Sequence, residues 1–558
     1  MGTKSGRGSS RVAREYHAAM LTSAQARESP AAAIRAARWV IGGCLVLGVL
    51  AISLAVLKNG GFPLDDSWIH QVIGRNAARF GIPGYIPGLA TAGSTSAIWP
   101  WIVAANYRFL PWLSPSSYLL AVNAVCLATV IGVLFAAARR DGLRAVEVTL
   151  LAALPALTGN FVWLMATGME HLLFIATAFL AAHFWYARGQ LAIHSVLAGM
   201  CCGLSIATRP EAVAFVPLFM LAGWHNGQSR RNLMGFLLPC MLFGALVMLN
   251  NLWTAHALMP ATLSGRRWLY FTHPTDAVVG HLRGFIWSWA DHVVNFFFGV
   301  GGSPGTEWLV AAALLTIALA GIFRLARARS HCTLFLILLA GTNLAIYAAL
   351  LPSAGQGMRY QAMLLIFVFP LVALGGLQVV ELVTQRMAIF SRYRWLSPSL
   401  VVLPVFAVAL ASLSSWSRIT DVGIQHINDT HVRMGKWLDA NVAHGTPVAS
   451  LDIGAIGYFG SVRVIDLGGL TDPDFVPYLY SGDVTSYLRA RAIRYVVLPE
   501  QGDDPCAAFT QRLRLCDGIE LTKQPVVSFS TPREIWNAAV GPTSHALQRQ
   551  DLYEITWK

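Results

Sequence analysis

Two adjacent carboxylates, Asp65 and Asp66, follow the first long apolar run of the chain, and His70 comes four residues after Asp66. A carboxylate can take the proton of a hydroxyl group, and a second one can give electrostatic or metal-binding support. On a helix, Asp66 and His70 share one face, where they can hold one ion, phosphate or hydroxyl. Helix capping is the alternative role of an Asp here. Both roles are compatible, because a capping residue at a membrane surface also faces outward.

A second group of charged residues lies at the edges of other apolar runs. Glu170 and His171 begin one run, whereas Arg209 and Glu211 lie in the turn between two others. An unpaired charge is costly in a membrane, so these residues either serve a site or pair with one another. A structural pair of Glu170 with Arg209 and a substrate-binding role are both open.

Positive charge is concentrated in two further segments. Arg266 and Arg267 follow Pro260-Ala261-Thr262, and Arg359 precedes Tyr360 at the start of another apolar run. Guanidinium groups at the headgroup level can neutralise a lipid-borne phosphate, and Arg can bind it through two hydrogen bonds. Non-specific contact with lipid headgroups is the alternative. We rank Arg359 first, because it stands where an apolar run begins and has a Tyr beside it.

The elements that position these residues are apolar runs long enough to cross, or nearly cross, a hydrocarbon core of roughly 30 Å. We expect about eleven transmembrane helices from such runs. Their approximate bounds are 39–57, 116–137, 145–163, 170–187, 190–207, 210–224, 232–252, 306–323, 332–351, 362–381 and 398–414.

Every connection on one side of the membrane is basic, which places that side in the cytoplasm together with the N-terminus. An odd number of spans then places the C-terminal tail outside the cytoplasm. The basic residues of the inner connections are Arg139, Arg140, Arg144, Arg188, Arg230, Arg231, Arg324, Arg327, Arg329, Arg386, Arg392 and Arg394.

Composition supports a membrane protein and argues against a nucleic-acid partner. Hydrophobic residues make up 55% of the chain and charged residues 12%, with a mean hydropathy of +0.53. A soluble domain has about 25% charged residues. The formal charge of +13 comes mainly from Lys and Arg between apolar runs, not from one soluble face. We therefore expect membrane lipids, and no nucleic acid, among the partners.

The predicted fold class is a mainly α, polytopic membrane protein with a small C-terminal α/β domain. Residues 1–38 are basic and lack the pattern of a cleavable signal peptide, so we expect a cytoplasmic, disordered segment. Residues 39–414 form the transmembrane domain, with extracytoplasmic loops at 58–115 and 253–305. Residues 415–558 form the extracytoplasmic domain, in which strand-like and helix-like runs alternate.

Two cysteines, Cys506 and Cys516, lie in this tail, whereas the other six lie in or beside apolar runs. In an oxidising compartment the tail pair favours a disulfide, and two unpaired thiols are the alternative.

In their order along the chain, these motifs resemble bacterial members of the GT-C superfamily of integral membrane glycosyltransferases. The order is Asp-Asp after the first span, then Gly-Ser-Thr-Ser, Gly-Met-Glu, Arg-Pro-Glu, Pro-x-Thr and Arg-Tyr. The tail segments Asp452–Phe459 and Val464–Pro473 also look like the periplasmic part of relatives of mycobacterial arabinofuranosyltransferases. The resemblance spans most of residues 60–475.

The resemblance implies transfer of a sugar from a polyprenyl-phosphate donor to a cell-envelope glycan, lipid or protein acceptor, usually with inversion. It implies the inner (plasma) membrane of a bacterium and a catalytic base at Asp65 or Asp66. Family members often have a Lys after Pro-x-Thr, where this chain has Arg266 and Arg267. Residues that it implies to line the cavity are Glu170, Arg209, Glu211 and Arg359.

The cofactor stays unknown at this stage. Some GT-C enzymes use a divalent metal such as Mg or Mn and others do not, so Asp66 and His70 are the candidate ligands.

A transporter or flippase of a lipid-linked saccharide is the alternative function. Transporters tend to have internal repeats and charges near the middle of the membrane, whereas the charged motifs here cluster at the predicted outer edge and we find no repeat. A purely structural subunit is a third reading, and it predicts that the Asp pair can be replaced without loss of function.

Overall fold

The computed structural model describes residues 30–91, 93–187, 191–258, 261–270, 278–297, 304–384, 396–499, 505–506, 509–537 and 549–558. Predictions for residues 1–29 and for Arg188, Pro260, Arg386, Arg392 and Arg394 lie outside these ranges.

Helices form most of the described part of the chain. Up to residue 427, the α-helices are Pro30–Asn59, Asp65–Phe80, Trp99–Phe109, Pro115–Arg140, Ala145–Ala153, Gly159–Trp163, His171–Trp185, Ala192–Thr208, Phe215–His225, Arg230–Ala255, Ala261–Tyr270, Val278–Asp291, Pro304–Arg327, His331–Leu350, Ala362–Thr384 and Leu396–Ile427. Short 3-10 or π turns, at Pro155–Leu157, Pro210–Ala214, His292–Phe297 and Gln356–Gln361, extend or join several of them.

Seven helices of the described residues are long and apolar enough to cross a membrane. The apolar helices Ala145–Leu157, His171–Trp185 and Ala192–Thr208 are shorter. The predicted fold class, a mainly helical polytopic membrane protein with a small sheet at its C-terminal end, is therefore confirmed, whereas the count of eleven spans stays a prediction. The helix predicted over 145–163 is interrupted, because Pro155 lacks an amide hydrogen and Thr158 has an extended backbone conformation.

Glycines allow the helices to approach closely. A Cβ atom on Gly375 would lie 1.7 Å from the carbonyl oxygen of Ile317, and one on Gly321 would lie 2.3 Å from that of Leu371. Helices Pro304–Arg327 and Ala362–Thr384 thus contact each other backbone to backbone, as small residues permit in membrane proteins.

An ion-pair network joins helix ends on the predicted cytoplasmic side. Arg324 donates to Glu147 at 2.8 Å and to Glu381 at 2.8 Å, and Arg144 reaches the same two carboxylates. This network fixes helix packing at the face opposite the predicted site.

The last long helix continues to Ile427, so the domain boundary predicted at residue 415 lies within it. A π turn at Asn428–Val432 and helix Arg433–Asn441 follow directly and lead into the C-terminal domain. Further helices of this domain are Gly454–Phe459, Val476–Ser481, Val484–Ala490 and Phe509–Arg512, with 3-10 turns at Pro473–Phe475 and Leu515–Asp517.

The C-terminal sheet has the strand order β2-β1-β3-β6-β4, with β5 also paired to β6. Strands β1, β2 and β3 are parallel neighbours, and β6 runs antiparallel to β3, β4 and β5. A disulfide joins Cys506 to Cys516. The strands are β1 Pro447–Ser450, β2 Arg463–Asp466, β3 Tyr495–Pro499, β4 Ile519–Leu521, β5 Val527–Ser530 and β6 Arg549–Trp557.

Candidate active site

The Asp pair occupies the first turn of helix Asp65–Phe80, where the helix dipole favours negative charge. Leu64, in an extended conformation, is the residue that precedes the helix, so neither Asp caps its own helix. The two carboxylates contact different partners, so we assign them different roles.

Asp65 binds the C-terminal domain. Its carboxylate oxygens accept hydrogen bonds from the backbone amides of Gly454, at 2.7 Å, and Ala455, at 2.8 Å. It therefore caps helix Gly454–Phe459 from outside. Burial raises the pKa of Asp65 to about 6, with a further upward contribution from Asp452 and opposing ones from His431 and the two amides.

Asp66 faces cations instead. Its Oδ2 atom accepts a hydrogen bond from Arg359, which is almost fully buried, while the Asp66 side chain keeps 32% of its exposure. Burial alone would raise the pKa of Asp66, but Arg359, Arg266 and His70 together hold it below its usual value. Asp66 is thus an ionised, partly accessible carboxylate at neutral pH.

Arg359 is presented by a strained turn. Gly357 and Met358 both have positive φ, 62° and 60°, immediately before it. A buried Met in this conformation is unusual and is held only by its surroundings. The Nη1 atom of Arg359 donates to Met169 Sδ at 3.2 Å, and its buried Nε has no hydrogen-bond partner among the described residues. Arg359 therefore has donor capacity left beside Asp66.

A buried charge network lies next to this pair. Arg209 donates to Glu170 at 2.8 Å, to Glu211 at 2.6 Å and to the hydroxyl of Tyr347 at 2.5 Å. Tyr347 in turn donates to Glu211 at 2.9 Å, and His171 Nε2 lies 3.1 Å from Arg209. The structural pairing of Glu170 with Arg209, left open by the sequence, is present in the structure.

His70 connects the network to the Asp pair. Its Nε2 atom lies 3.6 Å from Glu170 Oε2, and its buried Nδ1 has no hydrogen-bond partner in the part of the chain described. Burial lowers the pKa of His70 despite the opposing charges of Glu170 and Asp66, so the ring is neutral at pH 7.

Two stacked tyrosine rings lie beside the arginines of the site. Tyr347 and Tyr360 stack with ring centroids 5.5 Å apart. The guanidinium of Arg266 lies over Tyr360 at 5.0 Å and that of Arg359 at 5.5 Å. Such cation–π contacts hold the two guanidinium groups toward one region of the site.

Most of the predicted site residues come together here, although they are distant in sequence. Arg267 is the exception, because it lies near Tyr480 of the C-terminal domain and contributes to that residue's electrostatic environment. Sequence reasoning missed Tyr347, whose only signal was a phenol near the end of an apolar run. The predicted residues that the structure gathers are Asp65, Asp66, His70, Glu170, His171, Arg209, Glu211, Arg266, Arg359 and Tyr360.

The donor set fits an anion better than a divalent cation. No group of three or more His, Cys, Asp or Glu side chains within the described ranges is arranged to hold a metal ion. Asp66, one of the two candidate ligands, already accepts from Arg359 and lies in the field of Arg266. Positive charge beside a carboxylate opposes cation binding there, whereas it favours a phosphate.

No curated protein matches the chain by sequence. A family described as a domain of unknown function (DUF8728) matches residues 424–545, which correspond to most of the C-terminal domain.

Solved structures give the clearer comparison. The archaeal oligosaccharyltransferase AglB from Archaeoglobus fulgidus, in complex with an inhibitory peptide and a dolichol-phosphate, superimposes with a TM-score of 0.51 and 14% identity over 83% of this chain and 69% of that one. An oligosaccharyltransferase from Archaeoglobus fulgidus in the apo form gives a TM-score of 0.51 and 13% identity over 82% of this chain and 69% of that one. ArnT from Cupriavidus metallidurans bound to undecaprenyl phosphate gives 0.49, 12% identity, and 92% and 97% coverage.

At 13–14% identity and a TM-score of 0.51, the likeness to the archaeal oligosaccharyltransferase shows the fold alone. The chain has the fold of the GT-C membrane glycosyltransferases.

Proposed function

We propose that this protein is a glycosyltransferase that moves a sugar from a polyprenyl-phosphate donor to a hydroxyl acceptor on the extracytoplasmic side of a bacterial inner membrane. The observation that carries the proposal is the juxtaposition of Asp66 with Arg266 and with Arg359, which directly precedes an apolar helix. The shared fold with an oligosaccharyltransferase solved with dolichol-phosphate supports a lipid-phosphate donor.

The reaction assigns one task to each charge. The acceptor hydroxyl oxygen attacks the anomeric carbon of the sugar, and its proton passes to a carboxylate oxygen of Asp66. The bond between the anomeric carbon and the phosphate oxygen breaks, and that oxygen leaves with the electron pair. Arg359 and Arg266 then stabilise the negative charge of the released lipid phosphate. Attack opposite the leaving group inverts the anomeric configuration.

Asp66 suits the base better than Asp65 because of its surroundings. Asp66 keeps about a third of its side-chain exposure, whereas both Asp65 oxygens already accept backbone hydrogen bonds. The low pKa of Asp66 makes it a weak base, but binding of a phosphate would draw Arg359 away and strengthen it. No step of this mechanism passes through a metal ion.

The test is turnover by wild-type protein, Asp66→Asn and Arg359→Gln with a panel of polyprenyl-phosphate sugars and cell-envelope acceptors. Asp66→Asn should lower kcat by at least on the order of a hundredfold, because the base is removed. Arg359→Gln should raise KM for the donor and lower kcat together.

Asp421→Asn is the matched control, since it also removes a carboxylate that is paired with a cation. Asp421 lies 3.0 Å from Lys58, outside the group formed by Asp66, Arg266 and Arg359. This variant should leave turnover unchanged. Equal activity of Asp66→Asn and wild type would refute the assignment of the base, and transport of lipid-linked saccharide without sugar transfer would favour a flippase.

A further inference from the structure

The segment Asp452–Phe459 of the C-terminal domain packs along helix Asp65–Phe80, which carries the Asp pair. Arg75 donates to the carbonyl oxygen of Tyr458 at 2.9 Å and lies over its ring at 4.7 Å. Trp68 contacts the rings of Tyr458 and Phe459, each with centroids 4.8 Å apart. The contact therefore extends over several turns of the helix.

Glycine at position 454 permits the closest approach. A Cβ atom there would lie 2.0 Å from the backbone oxygen of Asp65 and 2.9 Å from its carboxyl carbon. The carboxylate of Asp65 meanwhile receives the amides of Gly454 and Ala455. Asp66, the next residue, is thus positioned by a direct backbone contact with the C-terminal domain.

A second contact holds the helix that carries Arg266. A Cβ atom on Gly265 would lie 2.6 Å from the carbonyl oxygen of Gly468 and 2.9 Å from that of Gly469. The loop that presents these carbonyls is fixed by Asp466, whose carboxylate accepts from the amides of Gly468, at 2.7 Å, and Leu470, at 2.6 Å. Gly265 is therefore required in the helix that carries Arg266, as Gly454 is required in the segment that contacts Asp65.

Both contacts come from one edge of the C-terminal sheet. The first follows β1 and the second follows β2, and these strands are parallel neighbours paired from Pro447 and Arg463 to Ser450 and Asp466. Loops after adjacent parallel strands emerge at the same edge. The spacing between the two contacts is therefore set by the sheet, not by the membrane helices.

We propose that this domain, which matches a family of unknown function, positions the two sides of the reaction centre, and that Asp65 is a positioning residue and not the base. The loop after β1 places Asp66 through Asp65 and Gly454, and the loop after β2 places Arg266 through Gly265. The inference rests on the proposed glycosyltransferase function, and it assigns to the C-terminal domain the relative placement of base and phosphate-binding groups.

The experiment compares Gly454→Ala, Gly265→Ala and Gly284→Ala in the full-length protein, with kcat and donor KM as readouts. Gly284 is the control, because it is exposed in the same predicted outer loop as Gly265 and an added Cβ meets nothing within 4 Å. Gly454→Ala must separate the domain from Asp65 by roughly 1 Å, which can cost on the order of a hundredfold in rate. We expect kcat to fall with donor KM unchanged.

Gly265→Ala displaces Arg266 instead, so donor KM should rise about tenfold or more, as expected for a lost charged contact. A merely structural role would lower the yield of folded protein without this division between kcat and KM. Kinetics for both variants that match Gly284→Ala would overturn the proposal. Absence of any donor turnover by wild-type protein would instead refute the underlying glycosyltransferase function.

Asp65→Asn provides a test that does not depend on tolerance of a larger side chain. The Asn side chain has one acceptor oxygen where the carboxylate has two, so one of the two backbone amides loses its acceptor. Hydrogen exchange of the Gly454 and Ala455 amides should therefore accelerate, and kcat should fall about tenfold in parallel. Loss of all turnover with unchanged exchange would identify Asp65 as the base and refute its positioning role.

Discussion

Replacement of Glu170 by Gln separates a structural role of the buried network from a catalytic one. Glu170 and Arg209 are exposed by only 2% and 3%, and they share a hydrogen bond of 2.8 Å. Gln keeps the size and an acceptor oxygen but loses the charge. Arg209 retains Glu211 as a counter-charge at 2.6 Å, so the variant leaves no uncompensated buried cation.

The expected magnitude follows from the kind of bond that is replaced. A hydrogen bond to a charged group contributes about 1.5–3 kcal/mol, and a neutral one about 0.5–1.5 kcal/mol. The difference predicts that Glu170→Gln lowers the free energy of unfolding by about 1–1.5 kcal/mol. Solvent screening reduces this value little at a site so deeply buried.

The assay is equilibrium unfolding in mixed detergent micelles, followed by tryptophan fluorescence, together with kcat of the folded variant. Glu381→Gln is the matched control, because it also removes a carboxylate that is bonded to an arginine, here Arg324. The side chain of Glu381 is 34% exposed and lies outside the buried network of Arg209. This control should cost less than half as much stability and leave kcat unchanged. Loss of turnover in Glu170→Gln, with stability equal to wild type, would refute the structural role.

Two further predictions concern protons and metal ions. Burial raises the pKa of Asp65 to about 6, and the ionised carboxylate is the better acceptor for the amides of Gly454 and Ala455. We therefore expect kcat to rise as the pH increases through about 6. A pH–rate profile of Asp65→Asn that keeps this inflection would contradict the positioning role of Asp65. Because Arg359 and Arg266 flank Asp66, incubation with EDTA should leave turnover unchanged, and recovery of lost activity by added Mg²⁺ or Mn²⁺ would show that a metal takes part.

The ionic network at Arg209 also shows that Arg209 and Arg359 bind different carboxylates. Arg209 is bonded to Glu170, Glu211 and Tyr347, whereas Arg359 pairs with Asp66. In the first group two carboxylates surround one guanidinium, so no positive charge is left there for a phosphate. In the second group Arg359 and Arg266 face the single carboxylate of Asp66, so the excess of positive charge that a phosphate requires lies there.

The amino-acid sequence by itself determined the broad organisation of the molecule. Runs of apolar residues predict membrane helices because an unsatisfied backbone cannot lie in lipid, and scarce charges at the ends of such runs indicate where polar chemistry is located. The resemblance to a known family, not the charges alone, implied that Glu170, Arg209 and Arg359 line one cavity, and their substrate-binding role stays a prediction. The sequence also predicted that strand-like and helix-like segments alternate in the C-terminal domain, as the first three strands and the helices between them do.

The separate roles of Asp65 and Asp66 were decided only by tertiary structure. Adjacent residues of identical chemistry carry the same sequence signal, yet one meets backbone amides 389 and 390 positions away and the other a guanidinium 293 positions away. Tyr347 was likewise invisible, because its partners come from other helices. Sequence periodicity records which face of an element is buried, whereas the partner at that face depends on how the helices and the sheet pack against each other.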